Sequence, residues 1–166
     1  PRPQEDPQTA ELRGGLIEQL AKFDDKPTIE HALRAFDEDD AGKAPLPASL
    51  RHAVITATGM HADKARFDKL IMRLKNARGE EERWMYAKAL AAGRDPQRAE
   101  ELLAASLAGV STANVATAIP GLVAQSSPFG ELAYRYTLSN FKQLGELAGS
   151  WGRSFLLPRS ASTRPR

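Results

Sequence analysis

The sequence contains no cysteine, which excludes disulfide bridges and zinc sites built from thiolates. No apolar stretch approaches the roughly 18–20 residues that a helix needs to span a bilayer. No charge of one sign dominates either, because 23 Lys and Arg face 21 Asp and Glu. That balance gives no strong attraction to nucleic acid or to an anionic membrane. A cysteine-free chain without a signal peptide indicates a cytoplasmic protein.

What is present suits a globular domain. Hydrophobic residues make up 42% of 166 residues, enough to build one core. Because the chain begins with Pro1 rather than Met, we expect it to be part of a longer polypeptide. The composition divides it into a proline-rich linker over residues 1–8, a helical-repeat domain over 9–157 and a basic tail over 158–166.

The clearest pattern is a helix, a tight corner and a second helix between Glu80 and Leu107. Gly93 ends the first helix, Asp95 is placed to cap the second, and Pro96 occupies its first position. The second helix then shows an apolar stripe at helical spacing, formed by Ala99, Leu102, Leu103, Ser106 and Leu107. Such a helical hairpin cannot bury its stripe alone, so it needs neighbours.

Similar patterns recur along the chain, and they predict about eight helices and no convincing strand. The other predicted helices run from Thr9 to about Phe23, from Thr28 to Phe36, from Ala48 to Thr58 with Gly59 as the stop, from Ala62 to Arg78, from the cap Ser111 to Leu122, and from Glu131 to about Leu147. Paired helices of this length predict an all-α fold, a right-handed α-solenoid of antiparallel helix pairs of the HEAT or armadillo type.

Three of these helices carry specific expectations. The first should bury a stripe of Leu12, Leu16, Ile17, Leu20 and Phe23, with Gly14 and Gly15 letting a neighbouring helix approach. Pro120 should kink or split its helix. The helix from Glu131 is apolar almost all round, which predicts burial by neighbours on several sides.

No catalytic, cofactor-binding or metal-binding residue is predicted. His31, His52 and His61 lack metal-ligand spacing and read as surface or helix-end residues. The acidic run Asp37–Asp40 lacks an EF-hand pattern and reads as a solvated loop. Glu80–Glu82 reads as first-turn acids favoured by the helix dipole, and Trp84 as a core residue. No nucleophile or phosphate-binding motif is present.

The order of three segments resembles the C-terminal helical domain of zinc aminopeptidases of the puromycin-sensitive and endoplasmic-reticulum group, in the gluzincin class. The resemblance covers roughly residues 9–157. The matching residues are Pro47, Leu50 and Arg51 at a helix start; Ala89 to Ala91, Asp95, Pro96, Leu102 and Leu103 around the corner; and Gly130, Leu132, Ala133, Tyr134, Asn140 and Phe141 near the end.

The resemblance implies a non-catalytic domain that packs over the catalytic domain of its own parent chain and helps to enclose a peptide substrate. Zinc, the HExxH motif and the GxMEN loop would belong to that catalytic domain. The family often has a basic residue just before Asn-aromatic, whereas this chain has Leu138 and Ser139 there. The resemblance also implies that the chain stops before the family's last helices, which would leave Trp151 to Leu157 partly uncovered.

Two other functions stay open on the sequence alone. A free-standing helical-repeat scaffold that binds a protein partner would show the same pattern of paired helices. A nucleic-acid arm would explain the Arg-rich tail Arg159–Arg166, although one short tail is a weak signal.

Overall fold

The structure, a computed structural model, describes residues 6–156, with Pro7 and residues 150–156 described in backbone only. This part of the chain contains nine helices and no strand, which confirms the predicted all-α class. The helices are α1 (Pro7–Lys22), α2 (Lys26–Asp40), α3 (Ala48–His61), α4 (Lys64–Asn76), α5 (Glu80–Ala91), α6 (Pro96–Leu107), α7 (Ala113–Ser126), α8 (Gly130–Ser139) and α9 (Phe141–Leu156). None of the described helices is long and apolar enough to cross a membrane.

Alternate helices form a row in which α1, α3, α5 and α7 each pack against the next. The helices α2, α4 and α6 lie along this row, and each packs mainly on the odd-numbered helix that follows it. Helices α8 and α9 close the end of the row against α7. The packing is that of a solenoid-like array of helix pairs, as the sequence predicted.

Aspartate caps start three of the helices. The carboxylates of Asp25, Asp63 and Asp95 accept hydrogen bonds from first-turn N–H groups, which satisfies donors that have no partner within the helix. The predicted Asp95–Pro96 corner is therefore confirmed. Two other predicted starts are wrong, because α1 begins at Pro7 rather than at Thr9 and the N-cap of α7 is Thr112 rather than Ser111.

Gly59 does not end α3, which continues to His61. At Gly59 the helix meets the backbone of α5, so closely that a methyl group on Gly59 would lie 2.1 Å from the carbonyl oxygen of Ala89. The glycine therefore serves a helix crossing rather than a helix stop. At Gly14 a Cβ would lie 3.7 Å from Cβ of Ala53 in α3, an ordinary van der Waals distance, and at Gly15 it would meet nothing within 4 Å, so the close approach predicted for these two glycines is wrong.

The predicted long helix after Glu131 is broken in two at Asn140. The Asn140 side chain donates to the carbonyl of Tyr136 at 2.9 Å, and its own carbonyl accepts from Leu144 N–H at 2.9 Å. The expected burial is also wrong, since Tyr134 and Leu138 are mostly exposed. Helix α7, in contrast, is not split and runs through Pro120.

The predicted stripe of α1 does not face the core. Ile17 packs against it, but Leu12, Leu16, Leu20 and Phe23 are exposed. The small residues Gly14 and Ala21 lie on the buried side instead. Helix α1 is therefore apolar on two sides. The sequence prediction was wrong because it took the side with the larger residues as the buried one.

Candidate functional site

The acidic run Asp37–Asp40 forms the end of α2 and not a solvated loop, so that prediction is wrong. Cations of α4 hold three of its carboxylates. Arg66 Nη2 lies 2.6 Å from Asp37, and Lys69 Nζ lies 2.9 Å from Asp40. Arg73 reaches Asp39 at 2.7 Å and Asp40 at 3.1 Å. Acidic residues at a helix C-terminus oppose the helix dipole, and these cations offset that repulsion.

This cluster, Asp37, Asp39 and Asp40 with Arg66, Lys69 and Arg73, is called the α2–α4 clamp below. Burial alone would raise the pKa of Asp39, but the Leu46 N–H and the Arg73 guanidinium outweigh it and lower the pKa. The pKa of Asp40 is likewise lowered, by Lys69 and Arg73 acting against burial. Asp39 and Asp40 are thus held ionised by neighbouring protein groups.

An arginine–aromatic stack accompanies the clamp, and a second stack follows one helix pair further along. The guanidinium of Arg73 in α4 lies 4.7 Å from the ring centre of Phe36 in α2. That of Arg98 in α6 lies 5.9 Å from the ring centre of Phe67 in α4. Each stack joins neighbouring even-numbered helices, where a cation over an aromatic face is favourable.

The three histidines lie apart from one another. His31 is exposed on α2. His52 Nδ1 lies 2.9 Å from Glu18, and His61 Nε2 lies 2.8 Å from the carbonyl oxygen of Ala21 at the end of α1. Among residues 6–156, no group of three His, Asp or Glu side chains is arranged to hold a metal ion.

A groove of about 810 Å³ lies between α3 and α5. Its lining residues come from both helices and the turn before α5: Ala48, Arg51, His52, Gly79, Glu81, Glu82, Trp84, Met85 and Lys88. We refer to it as the α3–α5 groove. Its volume is in the range of pockets that bind small ligands or short peptide segments.

The geometry of the crossing explains why the groove opens at this end. Helices α3 and α5 meet backbone to backbone at Gly59 and Ala89, near the C-terminal end of each helix. Most of the groove residues lie in the N-terminal halves, and Lys88 in the last turn of α5 extends the lining towards the crossing. Contact at one end and a gap at the other mean that the two helices diverge towards their N-termini.

The groove combines apolar surface with charges. Trp84 and Met85 are half-buried and pack against the core. The Glu82 carboxylate already has a partner within the domain, because it accepts a hydrogen bond from the N–H of Arg78 at 3.1 Å. Lys88 is exposed, and its side chain takes part in none of the hydrogen bonds or ion pairs among the described residues. A ligand carboxylate could bind this cation, and an apolar ligand side chain could contact the indole of Trp84.

Sequence reasoning did not find this groove. It predicted that Trp84 is a core residue, whereas Trp84 is half-buried and also lines the groove. Arg51 was noted only as part of the family pattern. Arg51 and Lys88 are some 37 positions apart in sequence, and no local pattern joins them. Only the packing of α3 beside α5 brings them to one surface.

Several residues of the family pattern have structural roles here. Pro47 precedes α3, Asp95 caps α6, and Leu102 and Leu103 are fully buried. Asn140 joins α8 to α9. The pattern therefore marks helix boundaries and core positions of the array. The basic tail and the side chains of Trp151 to Leu157 lie outside what the structure describes.

A comparison with known protein families identifies the array. The sequence matches the family described as the ERAP1-like C-terminal domain over residues 1–162, nearly its whole length. The match agrees with the all-helical fold and with the helix-boundary positions described above. The chain belongs to this family, the C-terminal domain of ERAP1-like aminopeptidases.

Proposed function

We propose that this domain is a non-catalytic part of a zinc-dependent aminopeptidase and that it packs over the catalytic domain of its own parent chain. In this role the α3–α5 groove contributes to the chamber that holds the peptide substrate. The zinc and its ligands belong to the catalytic domain, and the parent enzyme is cytoplasmic. The observation that carries the proposal is an open, mixed-character groove on a domain of an aminopeptidase family.

The chemistry of the groove suits an extended peptide better than a small metabolite. Trp84 and Met85 offer apolar contact without a deep pocket, and the exposed cations Arg51 and Lys88 offer charge at the rim. A peptide presents apolar side chains along its length and one carboxylate at its end. The groove therefore contacts parts of the substrate that lie away from the bond to be cleaved, and it affects binding rather than chemistry.

The test uses the full parent enzyme with Lys88→Glu. Catalytic efficiency, kcat/KM, should fall about fivefold for peptides of nine or more residues, as expected for loss of about 1 kcal/mol from a rim charge. Hydrolysis of a single aminoacyl reporter should not change, because that substrate cannot reach the groove. Lys75→Glu is the matched control, since Lys75 is exposed in the last turn of α4 and outside the groove.

Two results would overturn parts of the proposal. Equal loss on the reporter and on long peptides would remove the groove from substrate binding. Turnover of the reporter by the 166-residue chain alone, or stoichiometric zinc in it by metal analysis, would end the non-catalytic assignment.

A free-standing interaction scaffold is the alternative function, and the exposed apolar side chains of α1 are the observation that favours it. The two functions differ in what precedes the domain in its gene. A parent polypeptide with an HExxH motif upstream supports the aminopeptidase, and a chain without one supports the scaffold.

A further inference from the structure

Helix α1 is apolar on two opposite sides. Gly14, Ile17 and Ala21 lie on the side that packs against the array. The other side carries four large apolar residues whose exposed fractions are high: Leu12 at 69%, Leu16 at 62%, Leu20 at 42% and Phe23 at 80%. At about 100° per residue, Leu16 lies roughly 160° around the helix from Gly14. We call the exposed side the α1 outer face.

The α1 outer face lies at the end of the row formed by α1, α3, α5 and α7. Helix α3 packs on α1 at one side and on α5 at the other, and α5 likewise lies between α3 and α7. Among the helices of residues 6–156, α1 has a row neighbour, α3, on one side only. The α1 outer face therefore continues an established series of helix–helix contacts, at the place where the next helix of the row would pack.

The surface detail fits a helix as the occupant. A groove of about 590 Å³ runs along this side of α1, with Leu12 and Leu16 beside Gly15 and a polar rim of Gln8, Glu11 and Gln19. A Cβ atom on Gly15 would meet nothing within 4 Å, so the backbone is open to an incoming side chain. Apolar residues at three- and four-residue spacing with a small residue between them form a helix-packing surface.

We infer that the α1 outer face packs against an amphipathic helix from the part of the parent chain that precedes this domain, which extends the row by one helix pair. The inference rests on the proposed function, because it requires that the domain follow other sequence in one polypeptide. It adds the contact surface: an apolar stripe on the preceding helix covers Leu12, Leu16 and Phe23 and places a large side chain over Gly15.

The absence of cysteine makes a direct test simple. Leu16→Cys is introduced into the 166-residue chain and into the parent polypeptide, and its modification by a thiol reagent is followed by site-resolved mass spectrometry. The new thiol should react freely in the 166-residue chain and at least tenfold more slowly in the parent. Met72→Cys is the matched control, because Met72 is 57% exposed on α4, away from this face, and it should react equally in both.

Two outcomes would overturn the inference. Equal reactivity of Leu16→Cys in both polypeptides means that no preceding helix covers the face. Protection that appears in the 166-residue chain as its concentration rises means that a second copy is the occupant. Failure of the proposed function is distinguishable, because a parent without aminopeptidase activity could still protect Leu16→Cys, and an active parent could leave it exposed.

Discussion

The two sets of helices hold together by different means. The row of α1, α3, α5 and α7 is joined by small residues that allow backbones to approach, as at Gly59 and Ala89. The helices α2, α4 and α6 are joined by charges and arginine–aromatic stacks, as in the α2–α4 clamp. A row packed by shape should be sensitive to the volume of a side chain. Helices joined by ion pairs should be sensitive to charge and pH.

The largest expected effect is at the crossing in the row. Gly59→Ala places a methyl group into the carbonyl of Ala89, and α3 and α5 must separate to accept it. We expect a loss of about 3 kcal/mol in the free energy of unfolding, measured by urea titration followed by circular dichroism. Gly121→Ala is the control, because a Cβ there meets nothing within 4 Å and α7 is helical at that point. This variant should gain about 0.5–1 kcal/mol.

The next effect is in the clamp. Arg73→Met keeps an apolar stem over Phe36 but leaves Asp39 and Asp40 without their shared cation. We expect a loss of about 2 kcal/mol, because a partly buried carboxylate is left unpaired. Lys64→Met also removes a cation from α4, but its partners Asp68 and Glu101 are exposed, so no measurable change is expected. Equal losses in the two variants would contradict the importance of burial in the clamp.

The smallest effect is the pH dependence of stability. The pKa values of Asp39 and Asp40 are lowered in the folded chain, so the folded state binds fewer protons than the unfolded state. Their stabilising contribution is fully present above the ordinary carboxyl value of about 3.9 and is lost as the pH falls through the lowered values. Thermal unfolding between pH 7 and pH 2.5 measures this.

That pH profile also sharpens the comparison between the two sets of helices. Arg73→Met should partly flatten the acid limb, because it removes a cation that lowers the pKa of both aspartates while the Leu46 N–H and Lys69 remain. Gly59→Ala should lower stability by a similar amount at every pH and keep the shape of the curve. If both variants changed the shape alike, the two sets of helices would not be held by different forces.

Local chemistry explains what the sequence predicted well. The Asp95–Pro96 corner and the stripe from Ala99 to Leu107 depend on residues within a dozen positions of one another, and the structure has the corner and buries the stripe as far as Ser106. The break at Asn140 was missed although its chemistry is local too, because an asparagine side chain that binds the carbonyl of Tyr136 gives no signal beyond its identity.

The remaining errors concern contacts between distant residues. Gly59 looks like a helix stop in sequence, and only the path of α5 shows that it is a crossing point. The Asp37–Asp40 run looks solvated because its partners Arg66 and Arg73 lie some 30 positions away. The α3–α5 groove was invisible for the same reason. The fold class came from helical period, whereas the site required knowledge of which helices are neighbours.

The angle at which α3 and α5 cross at Gly59 sets the separation of the two helices at the α3–α5 groove. The N-terminal halves of α3 and α5 flank the groove, which extends to Ala48 and Gly79. Eight residues of helix separate Gly59 from Arg51, a lever arm of about 12 Å. A small change of the crossing angle at the buried Gly59 therefore alters the width of the α3–α5 groove. Under the proposed function, substitutions at this crossing change the groove without any contact to the substrate.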